Sequence, residues 1–301
     1  MRSMRQVRQT KHNTLIVVAA MFIFTHLLSF QAVAGVFAEK DVYTKTLNRW
    51  NDSVSHHGLK SNSWVWNLKF KDTKHKNLSR DSILIVPNSS IPDDLTLVVW
   101  FHGCGGFGFK TFKNRIIPQI KKISRDGHSI AVAIPEMPWS TNTSTKCSRQ
   151  GQVWQAQNEL ENYVKEVKVR LGIWSKKYHG VELEMIRIVF VGHSAGGSAI
   201  ASAAKEGSLC LLDPENVIWS DASYGNWLDK AWHGCIKNDS DIKLTILVKK
   251  WNTPWKRASA FFRRVKKSNK RIFKILSGKN WTHTKIGHNA LELSDIFPPG
   301  C

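Results

Sequence analysis

Gly192-His193-Ser194-Ala195-Gly196 stands between an apolar run at residues 185–191 and a run of small residues at 197–204. A buried strand, a tight turn and a helix in that order constrain the chain more than any other feature. A serine hydroxyl is a weak nucleophile until geometry exposes it and a base activates it. Glycines two positions before and two after the serine let the backbone crowd there without a Cβ clash. A capping serine at an ordinary helix start is the plainer alternative.

The surrounding pattern extends this unit. Residues 95–101, 130–134, 186–191, 217–219, 244–248 and 272–276 are short apolar runs of the kind buried on both faces of a parallel sheet. Residues 83–87 read as a strand stopped by a proline, and 63–70 as an edge hairpin from partial alternation. Between them, 109–124, 152–177 and 258–265 carry helical apolar stripes. Strands and helices in alternation predict an α/β fold, a doubly wound, mostly parallel sheet with helices on both faces.

The chain has 301 residues, 42% of them hydrophobic, enough for one α/β domain. Arg2, Arg5, Arg8 and Lys11 precede an apolar run at 15–30, and Ala32-Val33-Ala34 follows. This pattern predicts a signal peptide over residues 1–34 and a single domain over 35–301, with an uncleaved membrane anchor as the alternative. The expected location is secreted or periplasmic. Export permits disulfides. Of the five cysteines, Cys210 with Cys235 is the first pairing expected and Cys104 with Cys147 the second. No Cys/His spacing suggests a metal, and no motif calls for a cofactor.

A serine nucleophile needs a base, an acid and oxyanion donors. Residues 95–101 run into His102-Gly103-Cys104-Gly105-Gly106, a turn whose main-chain N–H groups can point into a site. The backbone of Cys104 or Gly105, with that of Ala195, supplies the expected donors. The base is expected near the C-terminus. His283 and His288 are the candidates, and His288 is favoured because Gly287-His288-Asn289 reads as a turn before a short helix. For the acid, the strand at 244–248 runs into Lys249-Lys250-Trp251-Asn252, and residues 242–291 contain no Asp or Glu. Asp221, at the end of the preceding strand, is therefore assigned, with Asp229 as the alternative.

The order Ser194, Asp221, His288 resembles that of the α/β-hydrolase superfamily. The loops 102–106 and 192–197 are also similar to those of secreted esterases of the polyhydroxybutyrate-depolymerase and feruloyl-esterase type. The resemblance implies an exported serine hydrolase that cleaves a carboxylic ester through an acyl-enzyme. The alternatives are an amidase or peptidase acting on cell-wall material, and a non-catalytic relative that binds anionic polymer. The acid's position departs from the superfamily's commoner arrangement, in which it follows the next strand.

Net charge is +21, about +17 without the four leading basic residues. A basic stretch over 249–271, interleaved with Trp251, Trp255, Phe261 and Phe262, is expected to form a helix with one apolar and one cationic face. It is also the candidate contact for an anionic surface or polymeric ester. No specific nucleic-acid contact is expected, and no membrane span after residue 34. On length alone, 226–241 is the candidate lid.

Overall fold

In the computed structural model the described residues are 59–68, 80–104, 109–137, 151–184, 186–238, 241–265 and 273–297. All lie in the compact unit Leu47–Cys301. The expected signal segment, Cys147 and Gly105 fall outside them.

Among the described residues eight strands form one sheet: β1 (Ser61–Leu68), β2 (Arg80–Pro87), β3 (Thr96–Phe101), β4 (Ile130–Pro135), β5 (Arg187–His193), β6 (Asn216–Ser220), β7 (Lys243–Lys249) and β8 (Phe273–Gly278). Their spatial order is β1-β2-β4-β3-β5-β6-β7-β8. β1 and β2 pair antiparallel, as do β2 and β4, and every other pair is parallel. The parallel strands are those read as continuous apolar runs. Helices on both faces leave such strands no polar side.

Period-two alternation divides each strand between two cores. Leu97, Val99 and Phe101 of β3, Phe190 of β5 and Trp219 of β6 face one. Val98, Trp100, Val191 and Ile218 face the other. The first core is closed by α2 (Glu159–His179), α3 (Gly196–Glu206), α5 (Trp227–Gly234) and α6 (Thr253–Val265). The second is closed by α1 (Phe109–Arg125), α7 (His283–His288) and α8 (Ala290–Leu293). A short α4 (Ser208–Leu211) follows α3. This is the expected doubly wound arrangement.

Three local readings change. The helix expected over 152–177 is a 3-10 turn at Gly151–Gln155 followed by α2, with Asn158 left-handed at φ 59° between them. The break seats Trp154, whose indole packs edge-on against Phe101 and donates to Met137 Sδ. Burying that ring outweighs continuing the helix. Gly287 and His288, expected in a turn, belong to α7. The segment expected as a lid is structural: Leu228, Ala231, Trp232 and Ile236 are buried in the first core.

A disulfide fastens that segment, joining Cys210 at the end of α4 to Cys235 as expected. The bridge closes a sequence separation of 25 residues. Such a loop is worth about 3 kcal/mol in the chain-entropy account. Replacing both cysteines by serine is expected to lower the melting temperature by roughly 6–12 °C, measured by calorimetry.

Candidate active site

The C-terminal ends of the central parallel strands converge on one rim. At the end of β5, Ser194 sits at φ 54°; at the end of β6, Asp221 sits at φ 45°; just past β7, Trp251 sits at φ 67°. Left-handed backbone in a non-glycine residue is costly, about 1–3 kcal/mol, and persists where the surroundings enforce it. The elbow is enforced from both sides. Ser194 N–H donates to Ser220 O at 3.0 Å, and Gly197 N–H donates to Ser194 O at 3.1 Å. Gly196 packs directly on β3: a Cβ there would stand 2.1 Å from Phe101 O. No residue larger than glycine fits without moving the sheet's centre.

Asp221 is wholly buried, and its N–H donates to Leu247 O at 2.7 Å, which extends the β6–β7 ladder to the site. Its Oδ2 lies 2.7 Å from Nδ1 of His283, which donates to the carboxylate. The Asn252 amide donates to the same group, at 3.1 Å to Oδ1 and 3.4 Å to Oδ2. Burial, together with the nearby Asp221 charge, pushes the Tyr224 phenol up to about 12.

The histidine on Asp221 is His283, which corrects the assignment of His288. α7 begins immediately after Thr282, whose hydroxyl accepts the Lys285 N–H at 3.0 Å as an N-cap. His283 is thus the first residue of the helix, presented at the rim. His288 is five positions on, about 140° around the helix axis, and cannot face the same carboxylate. The signal for His283 was present in the Thr282 cap and in its position only five residues beyond β8.

His283 is also fixed to the elbow. Its ring lies 4.7 Å from the ring of His193, the residue before Ser194. His193 Nε2 is 3.2 Å from His283 O; a carbonyl only accepts, so that nitrogen carries the proton. The alternative acid, Asp229, forms an ion pair with Arg264 of α6 instead.

The loop after β3 passes against the serine: a Cβ on Gly103 would stand 3.0 Å from Ser194 Cβ. Buried His102 secures this loop. Its Nε2 accepts the Met137 N–H at 2.9 Å, so Nδ1 carries the hydrogen and donates to Gly103 O at 2.8 Å. The loop is thereby tied to the end of β4. Cys104 is exposed and disulfide-bonded, and Ala195 is buried at the start of α3. His102 and Asn252 were not singled out by sequence reasoning. Asn252 carried a signal, an N-cap residue two positions before a proline and preceding a helix.

The strand order, the elbow after β5 and helices on both faces define an α/β-hydrolase fold. No family model matches the sequence, and no curated protein matches it. Solved structures are similar in fold. An IroE-like serine hydrolase from Shewanella oneidensis is similar over 78% of this chain and 80% of its own, at 12% identity and a TM-score of 0.50. An S-formylglutathione hydrolase from Staphylococcus aureus aligns over 78% of this chain and 98% of its own, at 13% identity and a TM-score of 0.47. A ferulic acid esterase aligns over 79% and 99%, at 12% identity and a TM-score of 0.45.

Proposed function

We propose that this protein is a serine hydrolase of carboxylic esters, with Ser194 as nucleophile, His283 as base and Asp221 as acid. One observation carries the reading: His283 Nδ1 is bonded to a buried carboxylate, and its ring lies 4.7 Å from that of His193, the residue before a serine held at φ 54°. With Nδ1–H committed to Asp221, Nε2 is the nitrogen left to work on the hydroxyl. Ser194 Oγ attacks the acyl carbon as its proton passes to His283 Nε2. The oxyanion is held by the main-chain N–H of Ala195 and by one from the loop after β3, that of Cys104 or Gly105. Collapse breaks the C–O bond to the alcohol, which takes the proton back from the imidazolium. Water, deprotonated by the same nitrogen, then attacks the acyl-enzyme and releases the acid and free Ser194. Asp221 keeps the imidazole in the productive tautomer and stabilises its charged form.

A fluorophosphonate probe is expected to label Ser194 covalently, and Ser194→Ala to abolish both labelling and hydrolysis of short p-nitrophenyl esters. Absence of labelling in the folded wild type would sink the assignment and favour a non-catalytic protein of this fold.

The finer features belong to the same proposal. The ester is anionic or polymeric, drawn by the cationic side of α6. That helix buries Pro254, Ala258, Phe261 and Val265 and exposes Lys256, Arg257, Arg263 and Arg264. Between α6 and β8 lies a groove of about 490 Å³ lined by Trp255, Phe262 and Ile275 with Lys256 and Arg263. Measuring ester hydrolysis at low and high salt tests this, since attraction to an anionic ester weakens with ionic strength. The protein acts after export, which the pattern of residues 1–34 and the Cys210–Cys235 bridge support. No helix among the described residues is long and apolar enough to cross a membrane.

A further inference from the structure

Asn252 occupies the place after β7 where the commoner arrangement of this fold carries the acid. Its amide is oriented without ambiguity. Oδ1 lies 2.8 Å from the N–H of Trp255, the third residue of α6. Only an oxygen can accept there, so Nδ2 must be the atom that faces Asp221. One side chain therefore caps a thirteen-residue helix and donates to both oxygens of the buried carboxylate.

We propose that Asn252 is the positioning residue of the triad: anchored by the α6 cap, it fixes the Asp221 carboxylate so that Oδ2 meets His283 Nδ1. The inference rests on the serine hydrolase reading above and assigns its acid a support on a different strand. A buried carboxylate needs partners for its remaining lone pairs. Between Ile242 and Leu291 the chain supplies no second carboxylate, so the amide faces Asp221 as a donor without competing for the imidazole.

Residue 252 also decides what an amide at 221 would do. In Asp221→Asn, the Asn252 NH2 draws the new carbonyl oxygen toward itself and turns the new NH2 to His283, which selects the wrong tautomer. In the exchange variant Asp221→Asn with Asn252→Asp, the carboxylate at 252 accepts from the NH2 at 221. The carbonyl oxygen at 221 then returns to His283 Nδ1–H, with the negative charge one hydrogen bond away.

Three variants test this with ester hydrolysis and with the NMR resonance of the His283 Nδ1 proton. Asn252→Ser keeps a good helix cap and removes the amide. It is expected to lower kcat on the order of 10- to 100-fold, the scale of a hydrogen bond to a charged group. KM should stay within about twofold, as for an interaction made chiefly in the transition state, and the Nδ1 proton resonance should move. Asp221→Asn is expected to lose about 10⁴ in kcat, and the exchange variant to recover at least tenfold over it. The titratable neighbours of the pair, His193 and Tyr224, are untouched throughout.

An Asn252→Ser protein with wild-type kcat and an unmoved resonance would reduce Asn252 to a helix cap. An exchange variant no better than Asp221→Asn would also overturn the proposal. The resonance needs no turnover. If it moves in Asn252→Ser while the wild type hydrolyses no ester, the positioning role stands and the hydrolase reading falls.

Discussion

Replacing His283 by alanine is expected to lower kcat for ester hydrolysis on the order of 10⁶-fold, the loss seen when one member of a catalytic triad is removed. KM should change little, because the imidazole acts on the transition state and not on substrate binding. His288→Gln is expected to stay within about threefold of wild type on the same grounds. The contrast follows from the helix that carries both. His283 opens α7 with Nδ1 on Asp221, and His288 closes it on a different face. Steady-state rates on a short ester, with circular dichroism to verify folding, decide the matter. If His288→Gln were the dead variant and His283→Ala the live one, the geometry drawn from α7 would be wrong.

Gly196→Ala is expected to be strongly destabilising. The added carbon would meet Phe101 O at 2.1 Å, and neither that carbonyl nor the first turn of α3 has a flexible end that can swing aside. Overpacking of an ordinary core costs about 1–3 kcal/mol. Here the obstacle is backbone in the middle strand pair β3–β5, so the cost should exceed about 3 kcal/mol. The variant is expected to lose at least roughly 6 °C in melting temperature and to label slowly at Ser194 even where it folds. Wild-type stability in Gly196→Ala would contradict the close approach of α3 to β3.

The contrast between these residues bears on how much the chain revealed before its structure. The parallel strands were legible because burial on both faces leaves uninterrupted apolar runs, as in Leu97 to Phe101. The turn at Ser194 was legible because glycine spacing records a local steric demand. Asp221 could be reached by elimination, since residues 242–291 hold no carboxylate. The histidine was not. His283 and His288 are both near the C-terminus, and only the exact start of α7 separates them. Helix boundaries depend on a cap such as Thr282, a weaker signal than periodicity. Asn252 escaped for a related reason. Its two roles join the start of one helix to a side chain from another strand, and a pairing across 31 positions leaves no trace in composition.

The cross-link between Cys210 and Cys235 reaches beyond stability. The stretch it anchors is the one whose length suggested a movable cover. With Trp232 sunk into the interior and the cystine holding the far end, swinging this piece outward would require tearing out an indole. This stretch is therefore not a hinged cover.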